Sequence, residues 1–230
     1  MPLSIPELAK RLNVNESRAR HLVQSGRIPG QRVGGRWVVD EADAAKYHPG
    51  APAGRPLSER SAWQLAMYVD AFKSQWESLD DCEFRFSPVE KHRVSQRFQR
   101  WQSSSFSLPL LRSLLMNRAD RCEFSASPGD MAELRSDPRL RPSGVSHPEA
   151  GLLANSELEA YVKCDDVDEL VKDWFLVKAE PGKRANVVLH VAEKVPDELP
   201  LLVIAADLAE RPGAREQQAA RALVRSISAD

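Results

Sequence analysis

With 230 residues, the chain has room for two domains or three small ones. Its apolar fraction of 42% and charged fraction of 28% are those of an ordinary globular protein. No apolar run approaches the ~20 residues needed to span a bilayer, and no charged-then-apolar leader is present, so a soluble cytoplasmic protein with no membrane partner is expected. The net charge of −1 conceals an asymmetry: residues 1–60 hold ten Lys/Arg against six Asp/Glu, which leaves about −5 for residues 61–230. A basic end on a slightly acidic body suits a chain that meets a polyanion with one part only. Cys82, Cys122 and Cys164 are scattered, with no C-x-x-C or Cys/His cluster. Reduced thiols are expected, with no disulfide framework, no metal and no cofactor.

The first segment reads as two short helices and a hairpin. Ser4 is placed to cap a helix running to Leu12, whose apolar stripe is Leu8 and Leu12 with Ala9 beside it. Asn13-Val14-Asn15 supplies a turn, with Val14 pointing inward and Asn15 capping a second helix to Gln24. Ala19, Leu22 and Val23 give that helix its buried face, and Gly26 stands where a left-handed stop is expected. Strands are predicted at about Gly30–Val33 and Arg36–Asp40, joined through Gly34-Gly35, a dipeptide suited to a primed turn. Asp40 can cap a short closing helix through Tyr47.

A helix-turn-helix followed by a basic hairpin points to DNA. The second helix presents Glu16, Ser17, Arg18, Arg20, His21 and Gln24 outward. Ser17 and Arg18 occupy the first turn, where a recognition helix meets base edges, while Arg20 and His21 suit phosphate. Arg27, Arg32 and Arg36 crowd the hairpin and suit the backbone or the minor groove. The expected DNA-binding set is therefore Ser17, Arg18, Arg20, His21, Gln24, Arg27, Arg32 and Arg36. Trp37 is read as a core anchor against Leu8 or Leu22 in preference to a base-stacking residue. The stretches Ile5–Leu12, Val14–Val23 and Gly26–Trp37 resemble the excisionase-type and MerR-type helix-turn-helix family over about a fifth of the chain. The resemblance implies DNA binding through the second helix and a wing, and it is shared by excisionases, repressors and antitoxins.

His48 to Pro56, rich in proline and glycine, reads as a linker and a domain boundary. Residues 57–119 read as helical. Trp63, Leu65, Ala66, Val69 and Phe72 recur at helical spacing, Ser87-Pro88-Val89-Glu90 starts a basic helix to Trp101, and a third helix spans Leu108–Ala119. The Ser103-Ser104-Ser105 run reads as a flexible loop.

Residues 120–230 change character. Strands are predicted at Cys122–Ala126, Leu158–Lys163, Phe175–Val177, Asn186–His190 and Leu201–Ile204, with helices near Pro128–Arg135, Asp165–Trp174 and Ala214–Ser228. The expected fold class is α+β: a winged helix-turn-helix (1–48), a linker (49–56), a helical segment (57–119) and a mixed α/β interaction domain with a small sheet (120–230).

No G-x-G-x-x-G, P-loop, G-x-S-x-G or H-E-x-x-H motif occurs. Asp165, Asp166, Asp168 and Glu169 form the densest acidic cluster, read as helix-dipole acids in preference to metal ligands. His190 lies in an alternating strand, and Asp207 is placed at a strand's C-terminal end, a weak catalytic candidate. No catalytic residue is assigned. The pieces Asn117–Arg121, Asp130–Leu140, Ser143–Pro148, Asn186–Val191 and Ala205–Glu210 resemble an AbiEi-type antitoxin or regulator body, spread over most of residues 57–230. That resemblance implies a non-enzymatic autoregulator of its own operon, with a nucleotidyltransferase-type toxin as partner; double-stranded operator DNA is expected from the helix-turn-helix, and a homodimer because a single small reader buries too little surface for strong specificity. Two other classes stay open: a DNA-targeted enzyme, which places Asp207, His190 or the Asp165–Asp168 acids together in a concave site, and a ligand-sensing repressor, which carries a closed, apolar pocket.

Overall fold

The computed structural model describes residues 2–12, 14–24, 28–46, 56–73, 86–153, 155–179 and 185–228. Gly26, Arg27, Tyr47, residues 48–55 of the linker and Cys82 lie outside these segments. The chain divides into two compact units, Met1–Pro52 and Ala53–Asp230.

The N-terminal unit holds β1 (Pro2–Ser4), α1 (Ile5–Leu12), α2 (Glu16–Gln24), β2 (Gln31–Val33), β3 (Arg36–Asp40) and α3 (Glu41–Lys46). Its strands form an antiparallel sheet in the order β1-β3-β2. The edge strand β1, with Leu3 opposite Val39, was not foreseen. Both helix starts are capped locally. The Ser4 N–H donates to Glu7 Oε2 at 2.8 Å, and Asn15 Oδ1 accepts from the Arg18 N–H at 2.8 Å. Gly34 and Gly35 both take positive φ, 58° and 79°, as a primed two-residue turn requires. The core is Ile5, Leu8, Ala9, Ala19, Leu22, Val23, Ile28, Val39 and Ala44. A core this small yields only a few kcal/mol, so caps worth about 1 kcal/mol each are a large share of the unit's stability.

The body contains α4 (Glu59–Lys73), α5 (Pro88–Ser103), α6 (Leu108–Leu114), β4 (Asp120–Ser125), α7 (Met131–Leu134), β5 (Arg141–Pro142), β6 (Leu158–Lys163), α8 (Val167–Asp173), β7 (Val177–Lys178), β8 (Val187–Ala192), α9 (Leu201–Glu210) and α10 (Ala214–Ser228). Its five-stranded sheet runs β5-β6-β8-β4-β7, parallel between β6 and β8 and antiparallel elsewhere. Strand periodicity sorts the side chains to two faces. Leu158, Ala160 and Val162 of β6, with Val187 and Leu189 of β8, pack with Met131, Leu134 and Leu170 of α7 and α8. Tyr161 of β6 and Ala192 of β8 join the core built by α4, α5, α6, α9 and α10. The helices of residues 57–119 therefore share one hydrophobic core with elements of residues 120–230.

Two expectations about elements are corrected. Leu201–Ile204 is helical, the first turn of α9, in which Leu202 to Ala209 are all buried. A helix apolar on every side carries no amphipathic period, so its first turn reads as a buried strand. The third helix ends at Leu114 instead of Ala119. The Arg118 N–H closes a turn on Leu115 O at 3.1 Å, and Trp63 Nε1 donates to Arg118 O at 2.9 Å, turning the Arg118 side chain inward. The serine run is not free of structure either: Ser103 ends α5, Ser104 Oγ donates to Trp101 O at 2.6 Å, and Ser105 N donates to Gln102 O at 2.8 Å.

Candidate functional site

In the N-terminal unit, the Val14 N–H donates to Ala9 O at 3.0 Å and closes the turn between α1 and α2. Ala19, Leu22 and Val23 anchor α2 from below, leaving Glu16, Ser17, Arg18, Arg20, His21 and Gln24 exposed. A Cβ on Gly30 would lie 2.6 Å from Val23 Cγ1 and 3.2 Å from Val38 O. Glycine here is what lets the chain entering β2 press against the buried side of α2. The Ile28 N–H to Leu22 O bond, 3.2 Å, fixes the same approach.

Arg32 and Trp37 are cross-strand partners in the hairpin, with the Arg32 Cζ 5.5 Å from the indole centroid. Trp37 is half-buried against the core of the unit, and its buried Nε1 has no hydrogen-bond partner among the described residues. The indole thus anchors the hairpin on one face and seats an exposed guanidinium on the other. Arg36 is exposed, Arg27 lies outside the described residues, and Arg11 is tied to Glu41 at 2.5 Å. The arrangement offers Ser17 and Arg18 for base edges, with an arginine fork suited to the two acceptors of guanine. Arg20, His21, Arg32 and Arg36 are exposed as well, side chains of the kind that can meet phosphate.

The body holds a second concentration of chemistry, buried between the sheet and α9. Asp207 is its centre. Arg118 Nε donates to Asp207 Oδ1 at 3.0 Å and to the Tyr161 hydroxyl at 2.7 Å, and its NH2 forms a further contact to Asp207. Tyr161 Oη donates to Asp207 Oδ1 at 3.1 Å, and Ser143 Oγ donates to Asp207 Oδ2. Arg118 NH1 also meets Glu210 at 2.6 Å and Leu115 O at 2.9 Å. Beside it, Glu159 receives His190 Nε2 at 3.0 Å, Arg211 Nε at 2.8 Å and the Val145 N–H at 3.3 Å. His190 stacks on Tyr161, with ring centroids 4.7 Å apart.

Burial opposes the charges of this cluster, and their neighbours restore them. Burial alone would lower the Arg118 value, but Asp207, Tyr161 and Glu210 carry it above the ordinary guanidinium range. Burial pushes on the Glu159 carboxyl in the raising direction, but His190, Arg211 and the Val145 N–H bring it down to about 2. Glu159 is thus held as a carboxylate, the charged partner that Arg211 meets. Burial pushes the Tyr161 phenol up, keeping it a neutral donor.

Glu159, His190 and Asp207 bring one donor atom each within 4.8 Å of one another, a spacing that could enclose a cation. Arg118 and Arg211 already supply the positive charge there, paired to Asp207 and Glu159. The enzyme alternative expects His190 and Asp207 together, and they are, 3.6 Å apart. They lie in the interior of α9 and β8, not on a concave surface, and Asp207 is in a helix interior instead of at a strand end. Asp165, Asp168 and Glu169 are exposed at the start of α8, away from the cluster. Arg118, Ser143, Glu159 and Tyr161 were not singled out for chemistry, because nothing local in sequence marks them.

Among the described residues no helix is long and apolar enough to cross a membrane. No curated protein and no solved structure matches the chain. Nothing in the comparisons supports the antitoxin-like body. Residues 2–46 match the family model described as a helix-turn-helix domain, excisionase-like in type, and this module marks the chain as similar to DNA-binding regulators.

Proposed function

We propose that the chain is a transcriptional autoregulator that reads operator DNA through α2 and the β2–β3 hairpin, while a non-enzymatic body engages a partner protein. In its specific form, the chain is the antitoxin of a toxin–antitoxin pair, and the partner is a nucleotidyltransferase-type toxin. The observation that carries the DNA reading is the helix-turn-helix match over residues 2–46 combined with the exposed row of Ser17, Arg18, His21 and Gln24 on α2. A single reader of this size buries too little surface for strong specificity, so the operator is a repeat and the chain binds it as a homodimer. The non-enzymatic reading is supported by the buried cluster, whose carboxylates are already neutralised by guanidinium groups.

Binding to the upstream DNA of its own gene, measured by mobility shift over a salt series, tests the reading. Arg18→Ala weakens binding and changes base preference by about 1–3 kcal/mol at one position. Arg36→Ala weakens binding to all sequences and reduces the salt slope by about one. Unchanged affinity in both variants overturns the DNA assignment. Co-expression with a nucleotidyltransferase-type toxin tests the second part separately: absence of growth rescue removes the antitoxin role and leaves the regulator.

A further inference from the structure

A cleft of about 410 Å³ lies between the α5–α6 connection and α10. Its volume falls in the range of small-molecule sites, roughly 300–1,000 Å³. Val224, Phe106 and Leu108, buried or half-buried, give it an apolar base. Arg221 and Arg225, exposed and one helical turn apart on α10, line its rim. Among the described residues neither guanidinium enters an ion pair or a hydrogen bond. Arg118, Arg139, Arg141 and Arg211 of the same body each meet a carboxylate. Two unpaired like charges at this spacing repel each other, and an anion placed between them relieves that repulsion. The hydroxyls of Ser105 and Ser107, also lining the cleft, make no hydrogen bond among the described residues.

The opposite lip is preformed. Ser105 and Phe106 are consecutive non-glycine residues in the left-handed region, with φ of 53° and 55°. Such backbone persists only where neighbours over-determine it. Here Trp101 does so: its carbonyl accepts the Phe106 N–H at 3.1 Å, its Nε1 donates to Ser107 O at 3.2 Å, and its ring meets Phe106 edge-on at 4.8 Å.

We propose that this cleft binds a small phosphate monoester carrying an apolar, planar group. Two arginine forks match the oxygens of a phosphate, and a monoester carries close to two negative charges at neutral pH, where a carboxylate carries one. The serine hydroxyls reach the remaining oxygen, and Phe106, Leu108 and Val224 cover the esterified group. The inference does not depend on the DNA-binding reading. A phosphodiester of duplex DNA shares the chemistry, and the test separates the two sources.

The test is a titration of the full chain with phenyl phosphate, inorganic phosphate and a duplex of arbitrary sequence, followed by tryptophan fluorescence and calorimetry. Phenyl phosphate is expected to saturate at millimolar concentration and to bind about tenfold more tightly than inorganic phosphate, through burial of its ring. Arg221→Gln and Arg225→Gln each weaken it about tenfold. Both positions are exposed, so circular dichroism and the melting transition stay as in the parent chain. Ser105→Gly keeps the left-handed backbone, removes the hydroxyl and weakens binding in the same direction. Absence of saturation by phenyl phosphate, or affinity in both arginine variants equal to that of the parent chain, overturns the proposal. So does a pattern in which those variants lose only duplex affinity, which assigns the arginines to DNA backbone.

Discussion

Glu159 Oε1 and His190 Nε2 lie 3.0 Å apart in the closed interior of the body, each side chain 2% exposed. Despite burial, His190 and Arg211 hold the Glu159 carboxyl at about 2, against an ordinary value of 4.5. A carboxyl whose folded value lies below its unfolded one contributes stability that is complete above about pH 4.5. That contribution is lost as the pH falls toward about 2. The melting temperature of the body therefore drops across this acid window. Glu159→Gln is less stable at neutral pH and shows a shallower acid slope. Asp137, also held at about 2 by Arg139, keeps the slope from vanishing. Equal slopes in parent and variant contradict this account.

Arg118 is the counter-charge of Asp207, and both side chains are almost fully buried. Arg118→Met leaves the carboxylate without its main partner and costs about 3–5 kcal/mol, the usual range for breaking a buried pair from one side. Asp207→Asn removes the buried carboxylate but leaves Arg118 its Glu210 partner at 2.6 Å, so it costs less than Arg118→Met. The double variant is less destabilised than the sum of the two, a coupling that urea denaturation of all four proteins measures. Simple additivity would mean that the pair is not energetically linked.

Gly144 takes φ of 49°, and a Cβ there would run into the Glu159 carboxylate. The glycine is needed twice, for its backbone angle and for the approach of Glu159. Gly144→Ala is expected to destabilise the body by about 1–3 kcal/mol, more than an ordinary surface substitution. Urea midpoints compared with those of Gly129→Ala, a position with only ordinary van der Waals neighbours, provide the internal control.

Gly30 plays the corresponding part in the reader, where Val23 stands in the way of any side chain. Gly30→Ala pushes the hairpin off α2, lowering the melting temperature of the unit and its DNA affinity together. Val23→Ala in the same chain removes the obstructing methyl groups and restores part of the affinity that Gly30→Ala loses. If the second substitution gives no recovery, the defect has another origin.

The reader was legible because its determinants are local. Ser4 with Glu7, Asn15 with Arg18, and Gly34 with Gly35 are pairs within three residues of each other, and each leaves a recognisable pattern. The edge strand β1 escaped notice because its partner Val39 lies far along the chain and three residues leave no period to read. In the body, β6 and α10 were legible from composition and periodicity, whereas the first turn of α9, Leu201–Ile204, reads as a strand because all four of its residues are apolar. The buried cluster was illegible for a different reason. Arg118 finds Tyr161, Asp207 and Glu210 at separations of 43, 89 and 92 residues, and no local signal announces such a meeting.

Those separations also impose an order on the chain's birth. Among the described residues the core of the reader lies between Leu3 and Ala44, so at roughly 5–20 residues per second it can fold within seconds of leaving the ribosome. Arg118 emerges long before Asp207 and must wait, hydrated, until α9 arrives to neutralise it. A chain halted between these two points would carry a finished reader on an unfinished body. The buried arginine thus makes closure of the body wait for α9, the helix that carries its counter-charges.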